Sequence, residues 1–233
     1  MPQPHPNRLL AAIPTRSRKH LLSNSVEVEL ATTTVLHEAR SHPSHAFFIT
    51  SGLASVLAVT TLGLSAEVGM VGREGFIGSL HLIGPADTPT HCRMQLAGAA
   101  IRIPMEHLQK AFEQDEAIHR RVLEFVQAQS HALSQVAGCH RIHGASERLT
   151  RWLLHAQDLT ESSTIDITQE TLSELLGTKR VTIAAAAGEL QRQGLIEYRR
   201  GHIRLLDLAG LEAIACDCYS TLKELHKGLY GAS

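Results

Sequence analysis

The stretch from Ile167 to Ile196, ITQETLSELLGTKRVTIAAAAGELQRQGLI, constrains this chain more than any other. It reads as two short helices joined by a tight turn. Thr168 is a good N-cap for the first, although Thr171 stands where a capping box would place Glu or Gln. Leu172, Leu175 and Leu176 recur at helical spacing and mark a buried face. Gly177 supplies the left-handed backbone that a sharp helix–helix turn needs. Thr178 is the expected cap of the second helix, whose apolar face runs through Ile183, Ala186, Ala187 and Leu190 until Gly194 ends it. Lys179, Arg180 and Thr182 stay polar and exposed near its start. This is the layout of a helix-turn-helix whose second helix enters a DNA major groove. The same spacing also fits an ordinary packed helical hairpin.

The segment C-terminal to this stretch favours DNA. Tyr198 to Leu206 alternates apolar residues around a basic turn and reads as a small hairpin, a wing suited to gripping phosphates. A net charge of −1 over 233 residues says nothing for nucleic acid, but the charge is unevenly placed. Lys179, Arg180, Arg192, Arg199, Arg200 and Arg204 face only Glu189 and Glu197 between positions 179 and 204. Positive charge collects where a phosphate contact would be made.

From Val26 to Pro104 the pattern changes. Short runs (Val26–Leu30, Ala46–Ile49, Val56–Val59, Val68–Val71, Arg93–Leu96, Ala100–Ile103) are separated by Gly, Pro, Ser and Thr, which predicts an antiparallel β domain. Two short helices, 7–13 and 15–22, precede it behind a loose arm at 1–7. A helix at 105–112 comes next. The run from Asp115 to His143 predicts a long helix. Its residues Ile118, Val122, Phe125, Gln129, Ala132, Val136 and Cys139 form a heptad stripe compatible with a two-helix seam, or with a helix lying on its own β domain. Leu123, Val126 and Leu133 make a second apolar row, expected to cover the β domain. Gly144 is the expected hinge. An amphipathic helix over 146–158, a polar loop over 159–166 and a final helical run over 207–229 complete the chain.

No nucleophile–base motif, phosphate-binding Gly loop or dinucleotide fingerprint is present, so no enzyme activity is expected. Of the fifteen histidines, His140 and His143 share a helix face, but no further ligand lies near them in sequence. Cys216 and Cys218, set on one helix, would point about 200° apart. No metal site is expected from either pair. Four cysteines without paired Cys-x-x-Cys spacing fit a reduced cytoplasm. The longest weakly apolar stretch, Leu53 to Leu64, is too short to span a bilayer, so no membrane partner is expected.

ITQETLSELLG, then Lys179-Arg180 and Thr182, then LQRQGLI, a basic hairpin and Asp207 resemble the winged helix of the CRP/FNR family of bacterial transcription regulators. Ser51–Ser55 and Glu67–Gly78 resemble that family's β-roll. The resemblance implies an α+β fold with an N-terminal antiparallel β-roll sensing an effector (1–114), a long dimerisation helix and hinge (115–143), and a C-terminal winged helix-turn-helix (144–233). It implies a homodimer on palindromic double-stranded DNA, with RNA polymerase as a further partner if the protein activates. Positions matching the family's base-reading residues are Arg180, Val181 and Ala185. Arg180 can pair bidentately with guanine, whereas Val181 and Ala185 offer only apolar contact. Thr168, Gln169, Lys179 and Thr182, with Arg199, Arg200 and His202 of the wing, would hold phosphates. The oxygen-sensing members' N-terminal cysteines are absent, since no Cys precedes Cys92. The effector site would lie around Arg73, Gly78, Ser79, Thr90 and Arg93. Cyclic AMP is not expected there: family members that bind it present Gly-Glu and a later Arg-Ser or Arg-Thr pair, where this chain has Gly78-Ser79 and Pro89-Thr90. Arg73 or Arg93 could compensate from another strand. No cofactor is expected and the effector is unnamed. A small-molecule binding module whose helix-turn-helix only packs is the competing reading.

Overall fold

Two long antiparallel strands, β3 (His45–Val59) and β6 (Thr90–Pro104), form the spine of the N-terminal half. They are seen in a computed structural model that describes residues 5–84 and 87–231. Each is longer than the separate runs read from the sequence. The residues between those runs, 50–55 in β3 and 97–99 in β6, stay in the strand where the pairing register shifts. The slip is possible because Gly52 has φ +77° and because a Cβ on Gly98 would lie 2.1 Å from the Ser51 carbonyl oxygen. A strand can absorb such an irregularity as a bulge without ending. β1 (Val26–Leu30) pairs with the outer edge of β6, and β4 (Ser65–Val71) with that of β3. β2 (Val35–His37) adds to β6 and β5 (Phe76–Ile77) to β3, which closes the antiparallel roll.

Residues 1–4 of the expected arm lie outside the described residues. Asn7, at its end, is buried rather than loose. Its carboxamide oxygen caps α1 (Arg8–Ala12) by accepting from the Leu10 N–H, and its NH2 group donates to the Ile49 and Gly75 carbonyls. α2 (Thr15–Leu21) comes next, and α3 (Met105–Gln114) leaves the last strand.

α4 (Glu116–Ile142) is capped by Asp115 and corrects the expected seam. Ile118, Val122, Phe125, Val136 and Cys139 are buried within this one chain. Phe125 packs on Phe76 at 5.5 Å between ring centroids, and Gln129 accepts a hydrogen bond from Ser79 of the roll. The contact is so close that a Cβ on Gly75 would sit 2.0 Å from the Phe125 ring. Ile118, Val122 and Phe125 of the stripe cover their own roll, whereas Cys139 meets Cys216 and Cys218; of the second row, Val126 and Leu133 pack on the roll as expected, while Leu123 is 42% exposed. A period specifies that a row is apolar, not what it meets.

The C-terminal half packs on the opposite face of the sheet. α5 (Ala145–Thr160) starts at Gly144, whose N–H donates to Glu147. Its Leu149, Trp152 and Leu153 share one core with Leu53, Leu57, Met70 and Leu96 of the strands and with the helix-turn-helix. The expected polar loop at 159–166 is instead the end of α5 and a strand, β7 (Thr164–Asp166), because Ile165 is buried opposite Ile203. Then come α6 (Gln169–Leu175), α7 (Arg180–Arg192), β8 (Ile196–Arg199) and β9 (His202–Leu205), the strands forming a β7-β9-β8 sheet. The final run is two helices, α8 (Leu208–Ile214) and α9 (Asp217–Gly228), broken at Ala215 and Cys216 where the backbone is extended. No residue in that run forces the break by its chemistry. Among the described residues no helix is long and apolar enough to cross a membrane.

Candidate nucleic-acid interface

α6 is set by Thr168, whose hydroxyl accepts from the Thr171 N–H at 3.1 Å; the two hydroxyls also bond, taking the place of a capping-box Glu. Leu172, Leu175 and Leu176 are buried, and Gly177 turns the chain at φ +56°. The N-cap of α7 is Lys179, not the expected Thr178, and no side chain caps it. Thr178 is drawn back instead, its N–H bonding the Ser173 carbonyl. The first turn of α7 therefore keeps free N–H groups, has no acidic residue and carries Lys179 and Arg180. Cations at a helix N-terminus oppose the helix dipole unless an anion joins them.

Ile183, Ala186, Ala187 and Leu190 face inward, while Lys179, Arg180, Val181, Thr182 and Ala185 are exposed. Val181 is 72% exposed, an unusual position for a β-branched apolar residue on a helix. Arg180 lies 3.7 Å from Glu170 with both side chains about two-thirds exposed. Such a pair is weak and exchanges readily for a stronger partner.

The wing tip is a two-residue turn in which Arg200 (φ +51°) and Gly201 (φ +86°) are both left-handed, the geometry of a tight hairpin. Arg199 pairs with Glu197 and His202 with Asp166. Among the described residues Arg200 has no carboxylate partner, so it is the freest cation of the wing. Tyr198 fixes the wing to the helices by donating to the Ile167 carbonyl at 2.9 Å. Between these parts runs an open groove of about 620 Å³, lined by Thr168, Gln169, Arg180, Ala184, Gln191 and Arg200 among others. Of the residues read from sequence, Thr168, Gln169, Arg180 and Arg200 line this groove, while Arg180, Arg199 and His202 each pair with a carboxylate, that of Glu170, Glu197 and Asp166.

The residues read as an effector site separate into two groups. Gly78, Ser79 and Thr90 line or approach a cavity of about 60 Å³ together with His37, His81, Thr88, Gln129 and Leu133. The Nε2 atoms of His37 and His81 are 2.6 Å apart, and Thr88 bonds His37. Burial and the neighbouring imidazole lower the pKa of His81, and burial lowers that of His37, so both favour the neutral form. Arg73 and Arg93 do not join them. Arg73 is bound to the Pro6 carbonyl and to Glu161, and Arg93 lies 3.5 Å from Glu174 of α6.

A carboxylate that the sequence did not single out sits where the two halves meet. Glu67 of β4 is buried and accepts from the Trp152 indole N–H at 2.8 Å and from the Ser55 hydroxyl. Burial pushes its pKa up to about 7 against the pull of those two bonds and of Arg151 and Arg93.

Residues 147–214 match the Crp-like helix-turn-helix domain. No curated protein matches the chain by sequence. Solved structures share its fold over most of its length. A transcriptional regulator of the CRP/FNR family from Eubacterium rectale is 16% identical, with a TM-score of 0.68 over 88% of this chain and 96% of that one. The c-di-GMP responsive global regulator CLP of Xanthomonas campestris is 18% identical, with a TM-score of 0.66 over 83% and 100%. TTHB099, a CRP-family transcriptional regulator from Thermus thermophilus, is 21% identical, with a TM-score of 0.65 over 81% and 96%.

Proposed function

We propose that this chain, which carries a Crp-like helix-turn-helix domain on the fold of the CRP/FNR regulators, is a dimeric, sequence-specific DNA-binding transcription regulator. The observation that carries this reading is the uncapped, cation-bearing N-terminus of α7, which shares a groove with the free Arg200 of the wing. Phosphates there would satisfy both the free N–H groups and the basic side chains. In this reading residues 1–114 sense, 115–143 pair with a second copy, and 144–233 bind DNA. Arg180 reads a guanine edge, Val181 and Ala185 meet thymine methyls, and Thr168, Gln169, Lys179, Thr182 and Arg200 hold the backbone. Arg199 and His202 take part after leaving Glu197 and Asp166. RNA polymerase is a further partner only in an activating role.

The pairing surface is the face of α4 opposite the buried stripe: Leu123, Gln127, Ser130, Ser134 and Ala137, all exposed and spaced at three and four. A two-fold dimer through this face would set two copies of α7 on half-sites one DNA turn apart. The effector is not cyclic AMP. The roll cavity is small, its histidines favour the neutral form, and Arg73 and Arg93 are held elsewhere. An uncompensated phosphate buried there would be costly.

Selection of bound sites from random DNA tests the reading. Arg180→Ala should cost about 1–3 kcal/mol per half-site and relax one position. Arg200→Ala should weaken binding to all sequences and reduce the salt dependence by about one counterion per half-site. An unchanged selected motif for Arg180→Ala refutes the assignment of α7 as the reading helix.

A further inference from the structure

Three cysteines and a histidine, far apart in sequence, meet where the end of α4 touches the start of α9. Cys139 and His143 are four apart at the end of α4 and share a face; His143 is its C-cap. Cys216 and Cys218 were expected to diverge on one helix. Cys216 is instead the extended N-cap of α9 (φ −67°, ψ 156°), outside the helix, and this brings its thiol to the same side as that of Cys218. One ligand atom from each of the four residues lies within 4.8 Å of all the others. The Cys139 and Cys216 sulfurs are 3.8 Å apart, and the Cys218 sulfur is 3.6 Å from His143 Nδ1. A tetrahedral zinc with bonds of about 2.3 Å to sulfur and about 2.0–2.1 Å to nitrogen has S–S edges of about 3.8 Å and S–N edges of about 3.5 Å. Both distances match with no metal to enforce them.

The surroundings also suit thiolates. Gln135 donates its side-chain N–H to the Cys218 sulfur at 3.1 Å. Asp217 Oδ1 lies 3.6 Å from His143 Nε2 and 3.9 Å from the Cys218 sulfur, at the edge of the cluster. Arg151 is buried nearby, with its Nε and Nη1 unpartnered among the described residues, and its charge acts on Cys139. Three thiolates and a divalent ion carry a net charge of −1, which one guanidinium neutralises.

We propose that Cys139, His143, Cys216 and Cys218 form a tetrahedral site for one zinc-class transition-metal ion per chain. No coordination position is open, so the site is structural rather than catalytic. It would clamp α9 to the end of α4, beside Gly144, and so fix the joint between the two halves. Metal binding would release up to three thiol protons and make affinity fall with acidity. The proposal does not depend on DNA binding.

The test uses the whole protein, kept reduced. After purification without chelator, elemental analysis should find one zinc per chain. Chelator-stripped protein titrated with Co(II) should saturate at one equivalent, with sulfur-to-cobalt charge-transfer absorption and the intense visible bands of tetrahedral cobalt. Zn(II) should bleach both. His143→Ala should keep the charge-transfer band while altering the visible bands, and Cys216→Ser should weaken the charge-transfer band. Failure of the reduced, unmodified protein to give these bands overturns the site. So does a Cys139–Cys216 disulfide recovered in place of bound metal from protein purified in air, or a Co(II) spectrum that Cys216→Ser leaves unchanged.

Discussion

Replacing Glu67 by Gln should stabilise this protein increasingly as pH rises from about 4.5 to about 7. The carboxyl is buried between β4 and α5, and burial raises its pKa from 4.5 to about 7. An acid whose pKa is raised on folding takes up a proton as the chain folds. The folded state is therefore undisturbed below pH 4.5, loses stability as pH climbs through the interval up to about 7, and loses no more beyond it. That interval corresponds to about 3 kcal/mol. Gln keeps the geometry: its carbonyl can accept from Trp152, and its NH2 can donate to the Ser55 oxygen, but it never ionises. About 2.5 kcal/mol of the ionisation penalty falls between pH 5 and pH 8, so at about 2–4 °C per kcal/mol for a chain of this size Glu67→Gln should gain about 5–10 °C over the unmodified protein at pH 8 compared with pH 5. Thermal unfolding of both proteins at the two pH values measures this, and the difference between them removes the titration of every other group. A mutant-minus-parent difference that is the same at both pH values would refute the reasoning. Glu67→Ala is the contrast: it leaves the Trp152 N–H unpaired and should destabilise by about 1–3 kcal/mol at pH 5, whereas at pH 8 losing the same ionisation penalty offsets most of that cost.

The packing and the cavity set two further outcomes. Phe125→Ala should cost about 3–5 kcal/mol of folding stability, because the ring fills the space over Gly75 and Phe76; Leu123→Glu should leave the melting temperature nearly unchanged but give monomers in sedimentation, and a stable Leu123→Glu dimer would remove α4's outer face as the seam. Isothermal calorimetry with cyclic AMP at micromolar protein should show no binding; tight binding would mean that the roll opens and releases Arg73 or Arg93 from Glu161 or Glu174.

The helix-turn-helix and its wing were legible because their determinants are local. A cap at Thr168, a left-handed glycine at 177, leucines at helical spacing and a basic hairpin turn act within a few residues of one another. Backbone sterics and short-range hydrogen bonds impose the same geometry wherever such a segment lies. The antiparallel β-roll was legible for a similar reason, although bulges at Gly52 and Gly98 join runs that polarity alone had separated. Other features depended on which distant surfaces meet. The periodicity of α4 fixed an apolar row and left open whether a second copy or the roll would cover it; the fit of Phe125 over Gly75 and Phe76 decided for the roll. Glu67 became a perturbed acid only when α5 sealed it from water beneath Trp152. The cluster of Cys139, His143, Cys216 and Cys218 depends on a helix break at Ala215 that no residue there demands, and on α9 returning to the end of α4. Local chemistry writes the elements; desolvation and close approach exist only after the chain has folded back on itself, and those set the partners of α4, the acidity of Glu67 and the meeting of the four ligands.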